Sequence, residues 1–345
     1  MSGSKLLTGV AALCLALSSL PALAQGTVVF SGVGGVAGKA YTDHILPVFE
    51  KATGIRVQYV PGTILEGLTK VEAQRNNPSV DIVVITDETY AQYRKKDLFE
   101  PLTPALVPRI NEIYPAVRYP GDVAVPALIA TAGIAYDKEV FASKGFPPPT
   151  SVKDLWRPEY KGKVVIWTPS TTTGVLMLLM VNAVEGGTIN NVDPGFKKIR
   201  EMKDDVFFNN ADEMSMLMQQ KRVWIGWWNN PRAEQVKASG VPIEFVIPKE
   251  GAPLFTNGMA LVKGAPNRAN ALKLMNWLLS DEGQQLIAKH YRGGPVFPSV
   301  KLTPDVAAQV PYGKVVENGA FLVDMDTVVR NRAAWLERWG KEIAR

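Results

Sequence analysis

Val28-Val29-Phe30 runs into Ser31-Gly32-Val33-Gly34-Gly35, and this short apolar run ahead of a glycine-rich turn predicts a strand over 27–30. Tyr41, Ile45, Leu46 and Phe49 then recur at helical spacing, which predicts a helix over 39–52 that Thr53-Gly54 stops. A second strand is expected over 55–60 and a second helix over 64–74, ending near Asn76-Asn77-Pro78. Residues 81–86 (DIVVIT) are apolar on both faces, as a buried parallel strand is. This βαβαβ order within about sixty residues defines an α/β unit with right-handed crossovers.

The pattern then changes. Residues 127–136 (ALIATAGIAY) form a long, uncharged strand after a loop rich in proline and glycine. A proline-rich linker and short helix (147–160), a strand (163–167), a helix (170–184) and extended pieces near 206–208, 223–228 and 242–247 describe a second α/β unit, with a helix over 213–220 between. The chain returns as a strand over 258–262, and amphipathic helices follow over 269–289 and 326–341.

Residues 1–24 have a different character. Lys5 precedes an apolar run over 6–17, Pro21 breaks it, and Ala22-Leu23-Ala24 suits cleavage before Gln25. This is the pattern of a secretory signal peptide, removed after Ala24, and it implies an exported protein. The one cysteine, Cys14, lies inside it, so the exported chain carries no disulfide and no thiolate chemistry. The formal charge falls from +5 to +4 with the loss of Lys5. No long basic run suggests nucleic acid.

Gly32-x-Gly34-x-x-Ala37 matches a relaxed dinucleotide fingerprint, but the second strand ends Gln58-Tyr59-Val60-Pro61 with no acid for a ribose hydroxyl. Gly38-Lys39 lacks the first glycine of a phosphate loop, where Val33 stands, and the hydroxyl after the lysine, where Ala40 stands. What remains is a turn at a strand end, with Ser31, Gly34 and Gly35 able to bring backbone close to a ligand, or simply a tight strand-to-helix connection. Ser170, Thr171, Thr172 and Thr173 open a helix after a strand; they suit an anion such as a carboxylate or phosphonate, and equally a plain helix cap. Trp227 and Trp228, followed by Asn229, end another strand on alternate faces, as an aromatic wall or as core. Thr86-Asp87, Tyr136 and Asn257 stand at further strand ends, Asp87 either pairing an amine or capping the next helix.

Catalytic sets are absent from the sequence. His44 and His290 are the only histidines, neither has a metal-ligand partner at helical spacing, and no G-x-S-x-G occurs. The reading is a non-enzyme with no cofactor and no metal, an exported α/β enzyme being the alternative.

The string "FEKATGIRVQYV", "NNPSVDIVVIT", "GIAYDKEVF", "PTSVKDLWRPEYKGKVVIWTPS" and "NALKLMNWLLSDEGQQLIAKH" resembles, in that order, the periplasmic solute-binding proteins of ABC importers, in the branch with the ferric-iron and spermidine/putrescine binders. The resemblance implies a type II fold: two α/β lobes joined by two crossing hinge strands, near 130–136 and 253–258, closing on one solute. It places lobe 1 at 25–130 plus 257–305 and lobe 2 at 131–256 plus 306–345. It also implies a monomer that docks on an inner-membrane permease driven by an ATPase. Where ferric binders carry a tyrosine pair, this chain has Trp227-Trp228, and the carboxylates that clamp polyamines are few. A small organic anion or zwitterion is therefore the expected solute, with iron or a polyamine as the alternative.

Overall fold

The computed structural model describes residues 26–202, 205–208 and 211–343, with the side chains of 208, 211 and 212 left aside. The expected signal peptide lies outside the described residues. The first lobe holds β1 (Thr27–Val33), β2 (Arg56–Gly62) and β3 (Ile82–Thr86), and β4 (Val125–Asp137) leads out of it. The second lobe holds β5 (Val164–Trp167), β6 (Val206–Phe208), β7 (Ile225–Asn229) and β8 (Ile243–Val246). β9 (Ala252–Leu261) returns to the first lobe, and the two-residue β10 (Ala320–Phe321) pairs with its start. The strand order is β2-β1-β3-β9-β4-β7-β5-β6, with β8 on β4.

β4 is where the two halves meet. Its residues up to Thr131 pair antiparallel with β9, and from Ala132 onward they pair with β7 and β8. All thirteen of its residues are buried, which is why the sequence there is apolar without alternation. Three apolar clusters follow from this split. One fills the first lobe around Phe30, Phe49, Leu68 and Phe297. Two lie on opposite faces of the second lobe's sheet, around Phe196 and Trp227 and around Trp167 and Trp228. Val316 still packs in the first-lobe cluster, while Phe321 and Val323 pack in the second, so the C-terminal crossing falls near 320 rather than at the expected 305/306. The last helix, Met325–Glu342, belongs to the second lobe through Val328, Trp335 and Trp339.

Two expected helices are broken in ways that matter for the site. The one expected over 39–52 is a short helix Gly35–Lys39, a wide π turn Ala40–Ile45 and a helix Leu46–Thr53. Pro47 has no N–H to give the regular ladder, and the wide turn lies just ahead of it. The one expected over 269–289 stops after Leu278, restarts behind the Ser280 cap, and ends in a second π turn, Ile287–Tyr291. The two π turns bring His44 and His290 into a ring stack 4.4 Å apart and set Tyr41 against Tyr291.

Candidate functional site

β1, β2 and β3 run parallel, and so do β5, β6 and β7, so ligand-facing loops belong at their C-terminal ends. In the first lobe these ends are the glycine turn after β1 and Thr86 after β3. Thr86 pairs directly with Asn257 of β9, so the two stand side by side at the rim. In the second lobe they are Thr168 to Thr173 after β5 and Asn229-Asn230 after β7.

The glycine turn is shaped by packing. A side chain at Gly32 would strike the Tyr59 hydroxyl, which donates to the Val33 carbonyl at 2.8 Å, and one at Gly38 would strike that same carbonyl. Gly34 N–H donates to the Gly62 carbonyl at 2.9 Å, and Gly35 takes φ +64, a conformation that favours glycine. Ser31 corrects its expectation: it is buried beneath the helix Ile64–Ala73, where a Cβ on Gly67 would come 2.7 Å from its Oγ.

Four further expectations change. Tyr136 lies at the wrong end of the second lobe. β4 runs antiparallel to β7, so Tyr136 pairs with Ile225 at the start of β7, while Ala132 pairs with Asn229 at the rim. Its ring packs on Phe141, away from the rim. Trp227 and Trp228 form no open wall, since both are fully buried. β7 is central, between β4 and β5, and consecutive side chains enter the two cores on its opposite faces. The Trp227 indole donates to the Thr173 carbonyl at 3.1 Å, and the Trp228 indole finds no acceptor among the described residues.

Asp87 is tied to the crossing strand and is not free to pair an amine. Its carboxylate accepts from Thr256 N–H at 2.7 Å and from the Thr256 hydroxyl, which also meets Tyr119 Oη at 2.8 Å. Burial pushes the Asp87 carboxyl up to about 6, against the opposing pull of the two Thr256 bonds. Because the folded-state pKa lies above the unfolded value, stability is fully present at low pH and declines as pH rises from about 4 through about 6. Asp87→Asn is expected to flatten that decline, which denaturant titrations at pH 4, 5, 6 and 7 would read. A parallel decline in the variant would contradict this role.

The hydroxyl row divides its duties. Thr171 is the cap of the helix Thr172–Val184, accepting from Gly174 N–H at 3.1 Å. Thr173 is buried. Ser170 is exposed and bonded to the Thr168 hydroxyl, and Thr172 donates to Glu88 at 3.0 Å. Thr86 and Asn229 likewise cap the helices they precede. Asn257 donates to Tyr291 Oη at 3.0 Å.

Two functional candidates were not read from the sequence. Tyr291 stands at the end of the second π turn, stacked edge-on against Tyr41, with its hydroxyl held by Asn257. Burial raises its pKa, and the Arg232 guanidinium of the second lobe pulls the other way. Arg232 is half-buried in the first turn of the helix Asn230–Ala238, and no carboxylate among the described residues pairs with it. A cation there opposes the helix dipole. That mismatch after Asn229-Asn230-Pro231 was the available signal.

The chain matches the family described as bacterial extracellular solute-binding protein over residues 46–312 and belongs to it. It has the type II fold of its structural neighbours, which include substrate-binding proteins of ABC transporters. The spermidine/putrescine-binding periplasmic protein of Escherichia coli is 24% identical over 338 residues, covering 93% of this chain and 94% of that one. A candidate 2-aminoethylphosphonate-binding periplasmic protein of Salmonella typhimurium is 27% identical, covering 94% and 95%. Among solved structures, a periplasmic binding protein of A. tumefaciens R10 in complex with agropinic acid superposes with a TM-score of 0.70 at 25% identity, covering 93% and 99%. These relatives are solute-binding proteins rather than enzymes.

Proposed function

We propose that this chain captures a small organic anion or zwitterion between its lobes and delivers it to a membrane permease. The observation that carries the reading is the charge left over at the rim. Asp87 is engaged by Thr256, and Glu88 by Thr172 and Arg332, so neither carboxylate is free for an ammonium group. Arg232 is a cation without a carboxylate partner among the described residues, and it acts electrostatically on Tyr291 of the other lobe, whose hydroxyl Asn257 holds. A carboxylate or phosphonate between them would gain a charge-assisted bond to Arg232, with Ser170, Asn257 and the first-turn N–H groups of Thr172–Val184 as further donors. The 2-aminoethylphosphonate and agropinic acid named for two relatives both carry an acidic group, which agrees with this class.

The polyamine alternative draws on the Escherichia coli relative's name, and would require a free carboxylate to meet each ammonium. Iron would require phenolates, whereas burial raises the Tyr41, Tyr59 and Tyr291 hydroxyls. The rest of the reading is an exported, monomeric, non-enzymatic protein whose leader is removed after Ala24.

Thermal shift of the chain from Gln25 onward against phosphonates, amino acids, aromatic acids, polyamines and ferric salts tests the class. A ligand at a hundred times its Kd adds about 2.7 kcal/mol to stability. A shift with acidic solutes is expected, and a shift with polyamines or iron alone would overturn the reading.

A further inference from the structure

Glu88 sits where the helix dipole favours an acid, but that does not account for where its carboxylate is bonded. It lies in the first turn of the helix Asp87–Tyr93, whose Tyr90 and Tyr93 pack in the first-lobe cluster. Yet its carboxylate is bonded entirely toward the second lobe, apart from a long contact from Gln92 at 3.4 Å. The Thr172 hydroxyl donates to one oxygen at 3.0 Å, and the Arg332 guanidinium forms an ion pair with the other. Thr172 opens the helix after β5, and Arg332 lies on the last helix, held in the second-lobe core by Val328 and Trp335. The Glu88 and Arg332 side chains are only 10% and 14% exposed. Six residues further along, Arg94 meets Asp326 of the same last helix with two bonds, 2.9 and 2.7 Å, and its partner is far more exposed.

We infer that Glu88 is the residue that couples occupancy of the cleft to lobe closure, a latch carrying its carboxylate from the first lobe to Thr172 and Arg332 of the second. The inference rests on the reading that the solute is held between the lobes. When the lobes part, Glu88 and Arg332 both regain water, so the open form needs neither partner. When they meet, each desolvated charge is satisfied only by the other. Thr172 adds specificity, because its hydroxyl lies in the helix start that also offers N–H groups to the solute. Filling that helix start and docking Glu88 then favour the same arrangement. The positioning is indirect: Glu88 acts through Thr172 and Arg332.

Glu88→Gln removes the charge, keeps the shape, and leaves Arg332 without its counter-charge in the closed form only. Spin labels at Leu65→Cys and Met216→Cys report lobe separation, since both positions are exposed, one on each lobe, and Cys14 is the sole native cysteine. In the unliganded chain from Gln25 onward, Glu88→Gln is expected to move the distance distribution toward longer separations, and Thr172→Val to do so less. With 2-aminoethylphosphonate as probe, Glu88→Gln is expected to raise Kd roughly 10- to 100-fold, mostly through faster dissociation. Arg332→Lys, which keeps the charge, should restore part of the closed population relative to Arg332→Gln. A Glu88→Gln distribution that superposes on the wild type, with an unchanged melting temperature, would overturn the latch. The distance measurement needs no ligand, so it decides the latch even if 2-aminoethylphosphonate fails to bind, a failure that would count against the proposed solute class instead.

Discussion

Arg232→Ala is expected to weaken binding of an acidic solute by about 30- to 5,000-fold, the range for truncating one partner of a desolvated charge pair at about 2–5 kcal/mol. The loss has two sources. The charge-assisted bond to the solute disappears, and the acidic group must then leave water without a cation to receive it. The helix itself should gain slightly, because a first-turn cation opposing the dipole is removed. The chain should therefore melt at the same or a higher temperature while binding far less, a combination that an unfolding artefact cannot produce. Arg232→Lys keeps the charge but not the planar fork and should recover only part of the affinity. Titration calorimetry of the three chains would show the order, and equal affinities would remove Arg232 from the site.

Asn230→Ala should produce the largest loss of stability. Asn230 is 2% exposed and makes three bonds at the junction of the lobes. Its Oδ1 accepts from Thr131 N–H at 2.9 Å, and its Nδ2 donates to the carbonyls of Arg292 at 2.8 Å and Gln309 at 3.2 Å. Thr131 is where β4 passes from pairing with β9 to pairing with β7, so its N–H is served by the Asn230 side chain at this switch. Arg292 holds a φ of +69, uncommon for a residue with a side chain, and its carbonyl is fixed by the same asparagine. Alanine would strand three main-chain groups at about 1–3 kcal/mol each, partly relieved by water, for a total of about 3–5 kcal/mol. Denaturant titration reads this directly. Asn230→Asp, which sets a buried carboxylate oxygen against the Arg292 and Gln309 carbonyls, should lose at least as much at neutral pH. A loss below about 1 kcal/mol would show that the junction is held by strand pairing alone.

The architecture was legible because it rests on patterns that survive without neighbours. The βαβαβ start, the uncharged run of β4 and the terminal amphipathic helix are all visible as spacing. The site was less legible, and the reasons differ by residue. Tyr136 was misplaced because a strand's end says nothing of its direction, and β4 runs antiparallel to its neighbour β7. Trp227 and Trp228 stayed open between wall and core because a terminal aromatic pair looks the same whether one face or both are covered. Asp87 and Thr86 are capping or cross-strand partners, roles that need the structure to name Thr256 and Thr89. Arg232 and Tyr291 lie 59 positions apart in sequence, on helices of different lobes, and influence each other only through the folded structure. One signal was present all the same: a cation in a first turn with no acid beside it.

The central claim is that the rim left open between the lobes selects negative charge. The most direct measurement is a calorimetric titration of the chain from Gln25 onward with 2-aminoethylphosphonate and, separately, with spermidine, each repeated on Arg232→Ala. Binding of the phosphonate that Arg232→Ala largely abolishes, with no heat from spermidine, is the expected outcome. Spermidine binding that survives or strengthens in Arg232→Ala, with no response to the phosphonate, would contradict it.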